Sequence, residues 1–424
     1  MAAVLIAILS LTVLGIPLVL AVDRNASPLR LLGLAFLYGT GAIYFVLLAL
    51  SVLHIRWSLL SVTIAALLCG GQALLPVLGR RHEGQARVPV LHVHVFDLAA
   101  LIAPVALACY ATIAPLWEWD FWAIWGLKAR VFLEAGGIDW RFLESRWNTF
   151  AHPDYPLLVP FAYDFAALAG GGWSDRWLGL LFVAWALAFL LVARDLAALE
   201  TTPVKAALIV FALSWLAVSR YVGLAEGALV AFIGAGVLFV RRALLANDDA
   251  AWRHGAILLG LAACTKNEGL AMLASVAIAI AIVDVRSLRR LWPAAAAALP
   301  WLVLRALHDL PTDVVSGSLA SRFTARAAET GAIFRLLIAN LHDPWLWAAL
   351  LLGLLLIPRR RERFVLLAVT FQILFYIGAY FVTPHDPAWH IATSWPRLTM
   401  QIVAPLAYAV MVQLAHAEAR SEQP

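Results

Sequence analysis

Apolar runs of about 16 to 23 residues follow one another almost from end to end of this chain. Most are long enough to cross a hydrocarbon core about 30 Å thick. No polar linker of the kind that separates soluble domains interrupts them. The composition agrees, since 63% of the 424 residues are hydrophobic and only 13% are charged. A soluble protein carries roughly twice that share of charge. The first run, Ala2 to Ala21, has neither a basic n-region nor a small-residue cleavage pattern before Asp23, so it reads as a retained span. The expected fold class is an all-α polytopic membrane protein.

The net charge of +5 does not point to nucleic acid, because the basic residues sit in short connections between apolar runs. Arg80, Arg81 and Arg87 mark one such connection, and Arg241, Arg242 and Arg253 a second. Arg286, Arg289 and Arg290 mark a third, and Arg359, Arg360, Arg361 and Arg363 a fourth. The positive-inside rule assigns these four to the cytoplasm. Loops 117–155, 308–343 and 384–397 then share the outer side, and they hold most of the polar chemistry. Cys69, Cys109 and Cys264 lie singly inside apolar stretches, without the spacing of a zinc knuckle or a disulfide framework.

Two segments resist simple bookkeeping. An odd number of crossings must join loop 117–155 to the Arg241–Arg253 connection, yet four apolar runs lie between them. The short run 156–171, which opens on a proline, is expected to enter without crossing fully. The run 255–283 has basic loops on both sides and carries Lys266, Asn267, Glu268 and Gly269 in its middle. Either one tilted helix or two helices broken at that polar knot would account for it, because irregular backbone at depth is tolerated where it lines a cavity.

The outer loop 117–155 contains six of the 18 tryptophans and six carboxylates, among them Glu118 and Asp120 directly after a span. Trp at such a place ordinarily forms an interfacial belt. A carboxylate on a low-dielectric boundary can also take a proton from a hydroxyl or orient a metal. Lys128 in the same loop either snorkels to the interface or reaches an anion. His152 and Asp154, with Pro153 and Tyr155, close the loop, either as a local turn or as an acceptor site. A charged Lys266 and Glu268 in an apolar stretch are costly unless they meet a partner or water. Loop 384–397 gathers His385, Asp386, His390, Thr393, Ser394 and Arg397 at the lip of the last span. Arg397 there has the planar fork suited to a phosphate. In loop 308–343, Phe334, Leu337, Ile338 and Leu341 keep helical spacing, near the cations Arg322, Arg326 and Arg335, as in a helix lying in the headgroup plane. No set of three or four convergent ligands is legible, so no metal is assigned and a divalent cation is unsupported.

From about residue 96 to 310 the chain resembles the GT-C glycosyltransferases, the class of the protein O-mannosyltransferases and the lipid A aminoarabinose transferases. The resemblance rests on Glu118 with Asp120, on Tyr155-Pro156-Leu157-Leu158, and on Gly172 followed by Trp173 to Arg176. It continues through Arg194, through Glu226 at the lip of a span, and through the block Gly260 to Leu270, whose Lys266 matches the class's lysine. It implies a bundle of roughly 11–13 transmembrane helices, with interfacial helices in the outer loops. Residues 1–95 would be N-terminal spans, 96–310 the catalytic core, and 311–424 the C-terminal spans. The implied activity is transfer of a sugar from a polyprenyl-phosphate donor to a hydroxyl on a lipid, glycan or protein acceptor, with inversion, at the extracytoplasmic face of a bacterial-type inner membrane. Asp120 would be the general base and Glu118 its support. Lys128, Lys266 and Arg397 would bind the donor phosphate, and His152, Asp154, Tyr155, Glu226, Glu268, His385 and His390 would line the substrate site. A transporter or flippase of a lipid-linked sugar is the alternative.

Overall fold

A computed structural model describes residues 1–78, 93–218, 221–312, 318–356 and 360–421. The connection bearing Arg80, Arg81 and Arg87, and Arg359 in the fourth basic connection, lie outside the described residues. Among those described the chain is helical, without strands, as the all-α expectation required.

The helices are α1 (Ala2–Val22), α2 (Pro28–Val52), α3 (Leu59–Leu78), α4 (Val95–Ala99), α5 (Ile102–Ile113), α6 (Gly126–Ala135) and α7 (Trp140–Glu144). They continue with α8 (Leu158–Gly170), α9 (Leu180–Ala198), α10 (Pro203–Ala217), α11 (Glu226–Ala246), α12 (Asp249–Ala263), α13 (Asn267–Asp284) and α14 (Trp292–Leu307). The last five are α15 (Leu319–Ala327), α16 (Thr330–Ala339), α17 (Pro344–Leu356), α18 (Arg363–Val382) and α19 (Pro387–Ser421). Their starts follow local rules. Ser27 caps α2 and Thr202 caps α10, each with proline next in the chain, while Asp248 caps α12 one residue after Asn247 turns the chain in a left-handed conformation.

Eight helical segments among the described residues are long and apolar enough to cross a membrane, or up to nine if the sharply bent pair α16–α17 is counted as one. The 41-residue apolar segment Asn267–Leu307 is not a single pass, because it comprises α13, a 3-10 turn over Val285–Leu291, and α14. Both its outer ends lie beside the acidic loop: Lys266 near Tyr155, and Trp301 on the Asp154 carbonyl. The segment therefore goes away and returns.

Side-chain contacts sort the helix ends into two groups. At one end, Ile138 N–H donates to Ser51 Oγ, His308 meets Glu144, Arg326 donates to the His385 carbonyl, and Arg397 pairs with Asp120. These contacts draw loops 117–155, 308–343 and 384–397 together. At the opposite end, Asp195 holds Ser27 and Arg30, Asp97 holds Arg194, and Arg241 lies between Glu200 and Glu362.

α8 starts and finishes at the first end. Its Leu158 N–H donates to the Cys264 carbonyl at 3.1 Å. At its far end, a Cβ on Gly170 would stand 2.9 Å from the Ala3 side chain. A helix of 13 residues laid this way does not traverse the bundle. Three passes, α9, α10 and α11, remain between the acidic loop and the α11–α12 hairpin, which resolves the parity problem. The polar knot is a break: α12 ends at Ala263, Lys266 is extended, and α13 begins at Asn267. Gly269 lets α13 start this close, because a Cβ there would lie 1.9 Å from the Ala262 carbonyl oxygen.

One expectation needs correction. Residues 384–397 are not a loop, since α19 begins at Pro387 and carries His390, Ser394 and Arg397 on its first turns. Polar residues at a helix end that faces other polar groups look like a loop to composition alone. The helix expected around Phe334 to Leu341 is present as α16, through Ala339.

Close backbone packing anchors the N-terminal pair. A Cβ on Gly15 would fall 1.8 Å from the Ala35 carbonyl oxygen, and one on Gly39 the same distance from that of Leu11. α1 and α2 thus touch backbone to backbone, the mode that membrane helices use when small residues face each other.

Candidate functional site

Asp120 stands immediately before a π-helical turn, Phe121–Trp125, that runs into α6. Such turns are frequent at functional positions. The turn is pinned from below: Phe121 is buried against the rings of Tyr163 and Trp173. The Asp120 carboxylate is therefore presented from a fixed backbone, about a quarter exposed, and accepts from Arg397 Nη1 of α19.

Arg397 begins an alternating chain of charge that crosses four elements. Its Nε lies 3.9 Å from Glu226 Oε1, at the first residue of α11. Glu226 is wholly buried and accepts from Lys266 Nζ at 3.1 Å. Lys266 Nζ also lies 2.7 Å from Glu268 Oε1, in the first turn of α13. Both glutamates sit at helix N-termini, where the helix dipole favours an anion. Three carboxylates against two cations leave the chain of five formally one charge negative. Buried charges persist only when paired in this way.

A second polar group adjoins the first through Tyr155. Its ring is stacked between His152 at 4.5 Å and Trp125 at 5.7 Å, with Lys266 Nζ 6.0 Å from its centroid. Next to it, Asp154 Oδ2 accepts from Asn267 Nδ2 at 3.2 Å and faces Arg305 Nη1 at 3.8 Å. The Asp154 carbonyl receives the Trp301 indole N–H. His152, Asp154 and Tyr155 thus lock the end of the acidic loop onto α13 and α14.

The expected residues separate into distinct places. Asp120, Glu226, Lys266, Glu268 and Arg397 converge. Glu118 lines an adjoining cavity instead. Lys128 is completely buried, donates to the His152 carbonyl at 3.0 Å and lies over the rings of Trp125 and Tyr155. Burial pushes its ammonium down to about 7, although the Asp154 carboxylate pulls the other way. His390 Nδ1 meets Thr383 Oγ1 at 2.8 Å, and His385 stacks edge-on against it. His390 precedes Arg397 by seven residues, two turns away on the same helix face.

The structure adds residues that the sequence reading passed over. On α18, Gln372, Tyr376 and Tyr380 recur every four residues and face α13 and α19. Gln372 Nε2 donates to the Glu268 carbonyl, Tyr376 to Gln401 Oε1 at 2.8 Å, and Tyr380 meets Ser394 at 2.8 Å. The spacing was a visible signal: a polar stripe at i, i+4 and i+8 on an apolar helix.

Two cavities are lined by chain neighbours of the pair, though by neither Asp120 nor Arg397 themselves. One of about 480 Å³ is lined by Leu107, Tyr110 and Glu118, and one of about 200 Å³ by Trp347, Pro396 and Met400. Trp215, Val218 and Tyr221 line both. The residue before Arg397 and the one two before Asp120 therefore belong to the walls of one apolar lateral groove. Trp117, Trp119 and Trp122 are exposed near its head, and Trp140 stacks flat on His308 at 3.7 Å. Among the described residues, no group of three His, Cys, Asp or Glu is placed to hold a metal ion.

No family model matches the chain, and comparison with curated proteins and with solved structures likewise yields no match.

Proposed function

We propose that the protein is a membrane glycosyltransferase that uses a sugar carried on a polyprenyl phosphate, as its resemblance to the GT-C class implies. The observation that carries this reading is the Asp120–Arg397 pair, whose chain neighbours Glu118 and Pro396 line two cavities that share Trp215, Val218 and Tyr221. A base and a phosphate-binding cation stand together where an apolar tail can lie along the bundle wall and a polar acceptor can arrive from water. The opposite end carries Arg253, Arg286, Arg289, Arg290, Arg360, Arg361 and Arg363. The positive-inside rule then assigns the site to the extracytoplasmic face.

In this mechanism the acceptor hydroxyl oxygen attacks the anomeric carbon, and its proton passes to Asp120. The bond from that carbon to the phosphate oxygen breaks, and the lipid phosphate leaves with the electron pair. One displacement inverts the anomeric configuration. Arg397 meets the charge that develops on the departing oxygen, an electrostatic contribution of the kind that dominates many enzymes. Lys266, held between two glutamates, acts through Glu226 on the far side of Arg397 rather than on the donor. Lys128, buried on a backbone carbonyl, leaves the phosphate to Arg397.

Sugar transfer from a short-chain polyprenyl-phosphate donor by purified protein tests the reading, with Asp120→Asn as the diagnostic variant. A general base contributes about 100-fold or more. Transfer by the variant above a tenth of wild type sinks the assignment.

The break between α12 and α13, with its buried Lys266 paired to the partly buried Glu268, favours a second reading as a transporter of the same lipid-linked sugar. Movement of the donor across sealed vesicles, without transfer, would select it.

A further inference from the structure

The geometry points to Arg397 as an exchangeable partner. Arg397 pairs with the base Asp120, and a lipid phosphate entering the groove takes the guanidinium and releases the base. This rests on the glycosyltransferase reading for its consequence, but the exchange itself is a binding property.

Three observations lead there. Asp120, at 23%, is the most exposed member of the charge chain, and Arg397, at 17%, is more exposed than Lys266 at 7%, so Arg397 is the cation that an incoming anion reaches more readily. Arg397 is held from both sides, by Asp120 at Nη1 and by Glu226 at 3.9 Å from Nε. Glu226 is wholly buried and fixed by Lys266, so it can keep the arginine in place while Asp120 lets go. And the groove walls, through Glu118 and Pro396, lead to the neighbours of both members of the pair.

Charge bookkeeping gives the exchange a direction. A sugar phosphodiester carries one negative charge, as Asp120 does, so donor and base compete for Arg397 on near-equal terms. During transfer the acceptor proton neutralises Asp120, while the broken bond leaves the phosphate as a monoester with a second charge. The attraction of Arg397 therefore moves wholly from the base to the leaving group as the reaction proceeds. Only interactions that strengthen in this way accelerate the step. While it is paired with Arg397, Asp120 is occupied by a cation and does not activate water.

The test is binding of farnesyl phosphate in an uncharged detergent, with farnesol and inorganic phosphate as controls. Removing the competing carboxylate should tighten binding. Asp120→Asn and Asp120→Ser should each bind farnesyl phosphate about tenfold more tightly than wild type, since a charge-assisted hydrogen bond no longer has to be broken. Arg397→Ala should lose most of the binding, and adding Asp120→Asn to it should restore none. Farnesol affinity should not change, and inorganic phosphate should bind far more weakly than farnesyl phosphate. Melting temperatures of the unliganded variants establish that they are folded. If wild type binds farnesyl phosphate and neither Asp120 variant binds it more tightly, the exchange is wrong while a phosphate site remains. If no variant binds it, the exchange and the lipid-phosphate reading fall together. Inorganic phosphate binding as tightly as farnesyl phosphate overturns the part of the groove.

Discussion

Replacing Glu362 by Gln should destabilise the bundle more than any exposed charge change, through a cluster far from the site. Arg241 gives Glu362 two hydrogen bonds, from Nε and Nη2, both at 2.6 Å, and a third to Glu200 at 2.6 Å. Gln413 donates to the same Glu362 at 2.6 Å. The side chains are 2% exposed for Arg241, 0% for Glu362 and 4% for Glu200, so water cannot take over. An amide at 362 keeps the shape, but it loses the charge and turns an N–H₂ towards one donor of the guanidinium. Breaking a buried pair from one side costs about 3–5 kcal/mol. That is between about a hundred- and several-thousand-fold in the folded-to-unfolded ratio. Unfolding in mixed micelles of rising SDS content, followed by tryptophan fluorescence, measures it. The companion variant replaces Arg241 and Glu362 together by Met, leaving Glu200 to Arg361 at 3.7 Å. It should recover most of the loss, because an apolar pair of similar volume carries no desolvation cost. A Glu362→Gln protein within 0.5 kcal/mol or so of wild type would refute the reasoning, and so would a double variant worse than the single one.

Lys128 gives a pH signature. Its ammonium is held down to about 7 by burial, so the penalty of burying the charge is complete below pH 7 and is relieved as pH rises from 7 towards the ordinary lysine range. Stability should therefore climb over that window, and Lys128→Met should flatten the climb; an unchanged slope in melting temperature against pH removes the argument. In a background without Cys69, Cys109 and Cys264, Arg141→Cys and Arg360→Cys should react with a membrane-impermeant thiol reagent from opposite sides of the membrane, and labelling of both from one side would contradict the two-ended arrangement. Gly15→Val should prise α1 from α2, since its Cβ would lie 1.8 Å from a backbone oxygen, and lower the melting temperature by several degrees; a change under about one degree would mean the helices part without cost.

The architecture was legible where the bilayer dictates it. Run length and arginine placement read out the helices and their two ends, and the parity of crossings, with the shortness and opening proline of 156–171, singled out that run, which the structure lays across one end as α8. The break at Lys266 was legible as one of two options, because charge at depth demands irregular backbone or a partner and both are present. What sequence hid was convergence. Arg241 looked like a marker of a basic loop, yet it is a buried clamp, since the local sequence of a helix end does not reveal what packs against it. Lys128 looked interfacial, but a His152 carbonyl 24 residues onward takes its ammonium. The beginning of α19 looked like a loop because its polar residues answer to distant partners, not to water.

Asp120 and Arg397 are separated by 277 positions. During synthesis the acidic loop, Glu226 and Lys266 are all laid down before the arginine that completes the set, and the pair closes only when α19 is seated. Until then the carboxylate stands at its helix end without that counter-charge. The counter-charge of Asp120 is thus supplied only by α19, so a chain stopped short of that helix leaves the carboxylate without it.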